Sequence, residues 1–339
     1  MNRYLLLIMC CLYISIESHA QQKKTVQNTS KEPTAEELYD KAFDYIDGVE
    51  KSKGLILLSD LADINYIPAI RSLGKIKIRG LYDTPINEKD GYDLFIRGAE
   101  LGDAECQWLL GWDLVMGNNT SQENKQQGII WLEKAVEQDY PPAIQALGSL
   151  YYEGQVLNRN KEKAIELFNR GARLGDKNCQ LFLGKAYHFG WDGLSPNGEK
   201  AEFWYSKAAN QNVVDAIYNL AVLYEEGKLV KRDIYKANDL YKKAVDLKSP
   251  EAANNLSYNY SIGDGVNVDK ELAYKYCKIA AELGDARGQL NLGCMLATGE
   301  GCLKDENAAR YWWGMVVKNE KASEDERVGA QKNIDLLDE

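Results

Sequence analysis

Ser72-Leu73-Gly74-Lys75 has the S-x-x-K spacing used in acyl transfer, with serine as nucleophile and lysine as its proton partner. That chemistry also needs S-D-N and K-T-G triplets, and the sequence has neither. Ser72 and Lys75 fall in a stretch whose apolar spacing predicts a helix, where Lys75 reads as a solvated charge. Gly263-x-Gly265 and Gly299-x-Gly301 could open a phosphate cradle. They follow helical patterns rather than strands and lack the third glycine, so they read as helix stops and turns. Asp264 to Asp269 lacks the ligand spacing and terminal glutamate of a calcium loop. The chain holds two histidines, His19 and His188, too few for a multi-histidine metal site. The sequence therefore predicts no catalytic constellation, no metal site and no cofactor.

The elements that would position any site come from the rest of the chain. At 339 residues and 45% hydrophobic, it can bury a sizeable core as two or three domains or as one extended array. A net charge of −10 argues against nucleic acid, whose phosphates are bound by Lys and Arg. Arg3, the apolar run Leu5 to Ile16 and the small residues Ser18 and Ala20 have the layout of a secretory signal peptide over residues 1–20. That run is too short to span a bilayer comfortably, and no later stretch is long enough for a membrane span. Residues 21–33 are polar and read as a flexible linker. The expected mature protein is exported, to the periplasm or as a secreted chain. It keeps five cysteines: Cys106, Cys179, Cys277, Cys294 and Cys302. An odd number argues against a full disulfide framework. Cys106 and Cys179 read as small buried hydrophobes, and Cys277 and Cys294 as the pair closest to each other.

A period of 36 to 37 residues runs through the chain. Small residues recur at Gly74, Gly111, Gly148, Gly184, Ala221, Ser257 and Gly293. Alanines recur at Ala62, Ala99, Ala135, Ala172, Ala208, Ala244 and Ala280. Four residues before each alanine stands a large side chain: Leu58, Phe95, Trp131, Phe168, Trp204, Leu240 and Tyr276, with Trp312 one step further. Three series in phase mark a repeat. Each unit holds two helical patterns, as in Ala143-Leu147-Gly148-Tyr151 and Ala164-Leu167-Phe168-Ala172. The small residue lets the first helix approach the second, with the large residue expected opposite. One such pair cannot bury both faces, so neighbours must stack. Repeats, about seven to eight of them, are expected over 34–322. Thr34 and Ser323 open capping boxes, and 323–339 reads as a C-terminal capping helix.

The unit A-x-x-x-L-G-x-x-Y-x-x-G, followed by K-A and W-Y-x-K-A-A, resembles the Sel-one-like repeat, a relative of the tetratricopeptide repeat. It stands at Ala216 to Gly227 with Lys236-Ala237, and at Lys200-Ala201 with Trp204 to Ala209. Gly263-Asp264-Gly265-Val266 and Gly299-Glu300-Gly301 are similar to the family's inter-helix loop. Lys77 and Leu114 stand where its tyrosine is expected. The resemblance implies an all-α, right-handed α-solenoid of stacked helix-turn-helix repeats that scaffolds protein–protein contacts on a concave face. It also implies an alternative, because some exported, cysteine-rich members are linked to penicillin binding or β-lactamase activity. This chain lacks their paired cysteines.

The face expected to line the groove lies three residues before and one after each repeated small residue. Those positions carry Arg71 and Lys75, Trp108 and Trp112, Gln145 and Ser149, Leu181 and Lys185, Tyr218 and Val222, Asn254 and Tyr258, and Leu290 and Cys294. One turn further lie Arg79, Tyr152, His188 and Glu225. The expected partner-binding residues are Arg71, Lys75, Arg79, Trp108, Trp112, Tyr152, Lys185, His188, Tyr218 and Tyr258: a basic entrance followed by an aromatic patch. Tryptophan and arginine carry much of the energy at interfaces. The expected occupant is a protein or peptide segment. Trp108 and Trp112 could instead pack between early repeats, and His188 reads as a satisfied surface residue.

Overall fold

The computed structural model describes residues 33–117, 121–191 and 194–337. The expected signal peptide and all of the linker except Pro33 lie outside these residues. Among the described residues the regular structure is entirely helical. The chain divides into two compact units, Met1–Leu147 and Gly148–Glu339.

In the first unit, α1 (Ala35–Asp47) and α2 (Lys51–Asp63) form an opening hairpin. They are followed by α3 (Ile67–Arg79), α4 (Glu88–Glu100), α5 (Ala104–Met116) and α6 (Gln122–Glu137). The division falls within α7 (Pro141–Glu153). The second unit continues through α8 (Lys161–Arg173), α9 (Lys177–Phe189), α10 (Gly198–Ala209), α11 (Val214–Glu226) and α12 (Ile234–Asp246). It ends with α13 (Pro250–Ile262), α14 (Lys270–Glu282), α15 (Ala286–Thr298), α16 (Glu306–Lys318) and α17 (Glu324–Leu336). Within each unit the helices other than α7 pack mainly on their chain neighbours, as a stack of hairpins requires. From α3 onward, odd-numbered helices up to α15 open a repeat and even-numbered ones close it.

Side chains start and stop these helices. Asn87, Asn160, Asn197, Asp233, Asp269 and Asp305 each accept a hydrogen bond from a backbone N–H in the first turn of a closing helix. The backbone N–H of each of these caps donates back to a carbonyl near the end of the preceding helix: Lys77, Tyr151, Tyr187, Tyr224, Tyr260 or Leu296. That bond fixes the hairpin angle in six repeats. Thr34 and Ser323 make complete capping boxes with Glu37 and Glu326.

The two helices of a hairpin meet at the repeated small residue. A Cβ on Gly74 would lie 2.6 Å from Phe95, and one on Gly148 would lie 3.1 Å from Phe168. At Gly111, Gly184 and Gly293 the facing side chains are Leu132, Tyr205 and Trp313, not the expected Trp131, Trp204 and Trp312. Tyr241 and Cys277 are likewise fully buried, while Leu240 and Tyr276 are only half-buried. From Leu132 onward, except at Phe168, the inward residue lies three positions before the phased residue rather than four. Both offsets fall on the apolar side of a helix, so a small rotation about its axis selects between them.

A second recurring contact involves polar groups. Gln107, Gln180 and Gln289, each buried four residues before the small residue, donate to the carbonyls of Ala99, Ala172 and Ala281. Gln138, Gln211 and Asn319 in the next inter-repeat loop reach back to their side-chain oxygens. The same three residues also donate to the carbonyls of Gly102, Gly175 and Gly284. Each relay ties three successive helices together and leaves its buried amide satisfied.

The five cysteines among the described residues are free thiols. Cys277 and Cys294 are not bonded to each other: the Cys277 thiol donates to the Gly288 carbonyl at 3.4 Å, and Cys294 is exposed.

Close approach and open space give opposite outcomes for the same substitution. Gly184→Ala is expected to cost about 1–3 kcal/mol, because the added methyl overlaps Tyr205. Gly314→Ala in α16, where nothing lies within 4 Å of the new Cβ, is expected to add about 0.5–1 kcal/mol. Urea unfolding of the two variants against the parent checks both signs.

Candidate partner-binding face

None of the side chains three residues before or one after the repeated small residue is buried. Every residue at the small position itself is buried. The opening helices therefore each keep one side that is only partly covered, in both units. What fills that side differs from the expected pattern in several places.

The basic entrance is neutralised. Arg71 and Lys75 on α3 both bond the Glu105 carboxylate at the start of α5, each at 2.5 Å. Burial pushes the Glu105 carboxyl up, but the bonds from Lys75 and Arg71 outweigh it and hold the group below its ordinary range. In the second unit Lys185 meets Asp215 at 3.4 Å. Arg79 at the end of α3 is exposed. The Ser72 hydroxyl pairs with the Tyr39 hydroxyl at 2.8 Å, so the S-x-x-K residues have separate partners.

None of the aromatic members is fully buried, and Tyr152 and Tyr218 pack against the core of the second unit. Trp108 and Trp112 lie on one side of α5, both half-buried, and the Trp108 ring rests 5.9 Å from Tyr140. Burial pushes the Tyr140 hydroxyl up to about 12, and the nearby Glu105 carboxylate adds to the shift. Tyr218 is half-buried with its ring 5.9 Å from Tyr241, and burial raises its hydroxyl pKa. Tyr258 is 62% exposed. Tyr152 packs edge-on against Phe182 at 5.1 Å.

His188 is not at the surface. It is 5% exposed, stacked on Phe189 at 4.4 Å, with Nδ1 3.3 Å from the Tyr205 hydroxyl and Nε2 3.8 Å from Glu226. Its position one turn past the groove series rotates it toward α10. Burial lowers its pKa, and the Glu226 carboxylate opposes this without reversing it.

Two arrangements were not read from the sequence. Phe168, Phe182, Trp191, Phe189 and His188 form a chain of ring contacts in the second unit. A polar cluster lies between α11, α12 and α13. Tyr241 donates to Glu225 at 2.7 Å and accepts from Asn255 at 2.8 Å, and Asn259 donates to both Glu225 and Asn238. Asn259 and Asn238 are buried. The usable signal was Glu225 and Asn259, at positions where most other repeats carry apolar residues.

The groups that could do chemistry are quiet. Burial pushes the Cys277 thiol up to about 12 and raises Cys106 and Cys179 further, so none is a ready thiolate. Among the described residues no group of three His, Cys, Asp or Glu side chains could hold a metal ion. No described helix is long and apolar enough to cross a membrane.

The low pKa of buried His188 makes a signed prediction. Unfolded histidine binds a proton near pH 6.5 while the folded ring resists it, so this group's stability contribution is present above that pH and lost as pH falls through it. The urea midpoint should drop between pH 7.5 and 5.5, and His188→Gln should flatten that slope.

The repeat geometry matches known proteins. The Sel1 repeat profile matches seven consecutive segments: 67–103, 104–140, 141–176, 177–213, 214–249, 250–285 and 286–315. The chain is similar in structure to c5321, a protective antigen of uropathogenic Escherichia coli with an SLR fold. The TM-score is 0.74 at 24% identity, covering 90% of this chain and 64% of that one. A Sel1 repeat protein of Oxalobacter formigenes superposes with a TM-score of 0.65 at 25% identity, covering 89% of this chain and 86% of that one. Chitin synthase regulatory factor 3 of Schizosaccharomyces pombe is 28% identical over 139 residues, 40% of this chain and only 15% of the yeast protein. With seven phased matches on hairpins of this construction, the chain belongs to the Sel1 repeat family.

Proposed function

We propose that this protein is an exported, non-enzymatic scaffold that captures a segment of another protein along the partly covered side of its opening helices. The observation that carries the reading is the alternation on those helices: the small position is buried in every repeat, and none of the positions three before it or one after it is buried. A surface built this way offers one or two contacts per repeat and suits a long ligand better than a small one. Trp108 and Trp112 supply broad, half-buried anchors, the residue type that dominates interface energies. The chitin synthase relative is named as a regulatory factor, which fits a binding role. Export rests on the composition of residues 1–20.

Two measurements test this. Trp108→Ala with Trp112→Ala should abolish capture of the partner retained by the parent chain from an envelope extract, while leaving the far-ultraviolet circular dichroism unchanged. Loss of helicity instead would place both rings in the core. Mass measurement of the protein recovered outside the cytoplasm should give a chain starting at Gln21, and a full-length cytoplasmic product would overturn export. Covalent labelling of Ser72 by a fluorescent penicillin would overturn the non-enzymatic reading.

A further inference from the structure

Helix α17 buries Ala330 among side chains of the two preceding helices. Its outer side is not uniformly polar. Val328 and Leu336 stand there 57% and 56% exposed. At about 100° per residue, Val328, Lys332, Asp325 and Leu336 fall within an arc of about 80°, on the side away from Ala330.

The other charges of this helix are committed within it or at its cap. Glu324 pairs with Arg327 at 3.1 Å, Glu326 accepts from the Ser323 backbone N–H at 2.7 Å, and Asp335 accepts from Gln331 at 2.8 Å. That leaves Asp325 and Lys332, both exposed, with no ion-pair or side-chain hydrogen-bond partner among the described residues. They are opposite in sign and seven residues apart, so they are not neighbours on their own helix. Each lies about 5 Å along the axis from the Val328–Gly329 peptide, one on either side. Beside that peptide there is room: nothing lies within 4 Å of where a Cβ on Gly329 would be.

A surface with that symmetry is complementary to itself. Two copies of α17 laid antiparallel about a two-fold axis through Val328–Gly329 bring Asp325 of each protomer opposite Lys332 of its partner. Each Val328 then faces the partner's Gly329. Parallel alignment would instead set aspartate on aspartate and lysine on lysine. The two reciprocal ion pairs also counter the mutual repulsion of two acidic chains. We infer that the outer side of α17 is a contact between two copies of this chain, antiparallel and centred on Val328–Gly329. Because the same patch serves both copies, the contact closes on itself and gives a dimer rather than a filament.

Sedimentation equilibrium of the full chain over a concentration series tests this. The parent should dimerise in a concentration-dependent way, since one helix per protomer is a small interface. Asp325→Lys and Lys332→Asp should each weaken dimerisation at least about tenfold, because each sets like charges opposite one another. The double variant exchanges the ends of both pairs and should return to within about threefold of the parent. Val328→Glu, at an exposed position, should abolish the dimer with unaltered circular dichroism. A parent still monomeric at about 0.1 mM, a dimer indifferent to Val328→Glu, or a double variant as weak as the single ones would each overturn the contact. Open-ended assembly in place of a dimer would overturn the two-fold arrangement.

Discussion

Everything in these hairpins depends on two helices coming close enough for a side chain of one to lie against bare backbone of the other. At Gly74, Gly111, Gly148, Gly184 and Gly293 there is no Cβ, and Phe95, Leu132, Phe168, Tyr205 and Trp313 occupy the space it would take. The contact fixes the separation and tilt of a hairpin, and the cap-to-carbonyl bond closes its other end. Ala221 and Ser257 replace glycine in two repeats, where Tyr241 and Cys277 are fully buried on the closing helices and the Ser257 hydroxyl bonds the Ala273 carbonyl. The constraint is thus steric, and polar groups adapt to it.

Because each hairpin leans only on its neighbours, stacking leaves few places where a polar group is both buried and unpartnered. The glutamine relays solve this in three repeats by passing one amide to the next loop. The Glu225 cluster solves it differently, with Tyr241, Asn255, Asn259 and Asn238 in one network. An exception is Asn259 Oδ1, which is buried without a donor among the described residues. Networks of this kind make a stack specific about which repeat follows which, since apolar faces alone would slide.

The same stacking rule explains why each opening helix keeps a side that its own hairpin does not bury. The closing helices cover one side of each opening helix, and adjacent repeats cover its flanks. The remaining side is left to solvent regardless of what residues it carries, so its chemistry is free to vary. It is paired-charge and tryptophan-bearing in the first unit, and amide- and tyrosine-bearing in the second.

The residue order alone was enough for the period, the helical pairs, the caps at Thr34 and Ser323, and the burial of the small positions, because all of these are local: spacing, propensity and glycine geometry act within one hairpin. Which of two adjacent large residues turned inward could not be read, because Trp131 and Leu132, or Trp204 and Tyr205, both lie on the apolar side and only packing against the facing glycine selects one. The fate of Arg71 and Lys75 was equally out of reach, since their partner Glu105 is about thirty residues away and meets them only once repeats stack. His188 went from an expected surface residue to a buried neutral ring for the same reason. A helix turns 100° per residue, so a position one turn from an open face is covered or bare according to the rotation that its neighbours impose.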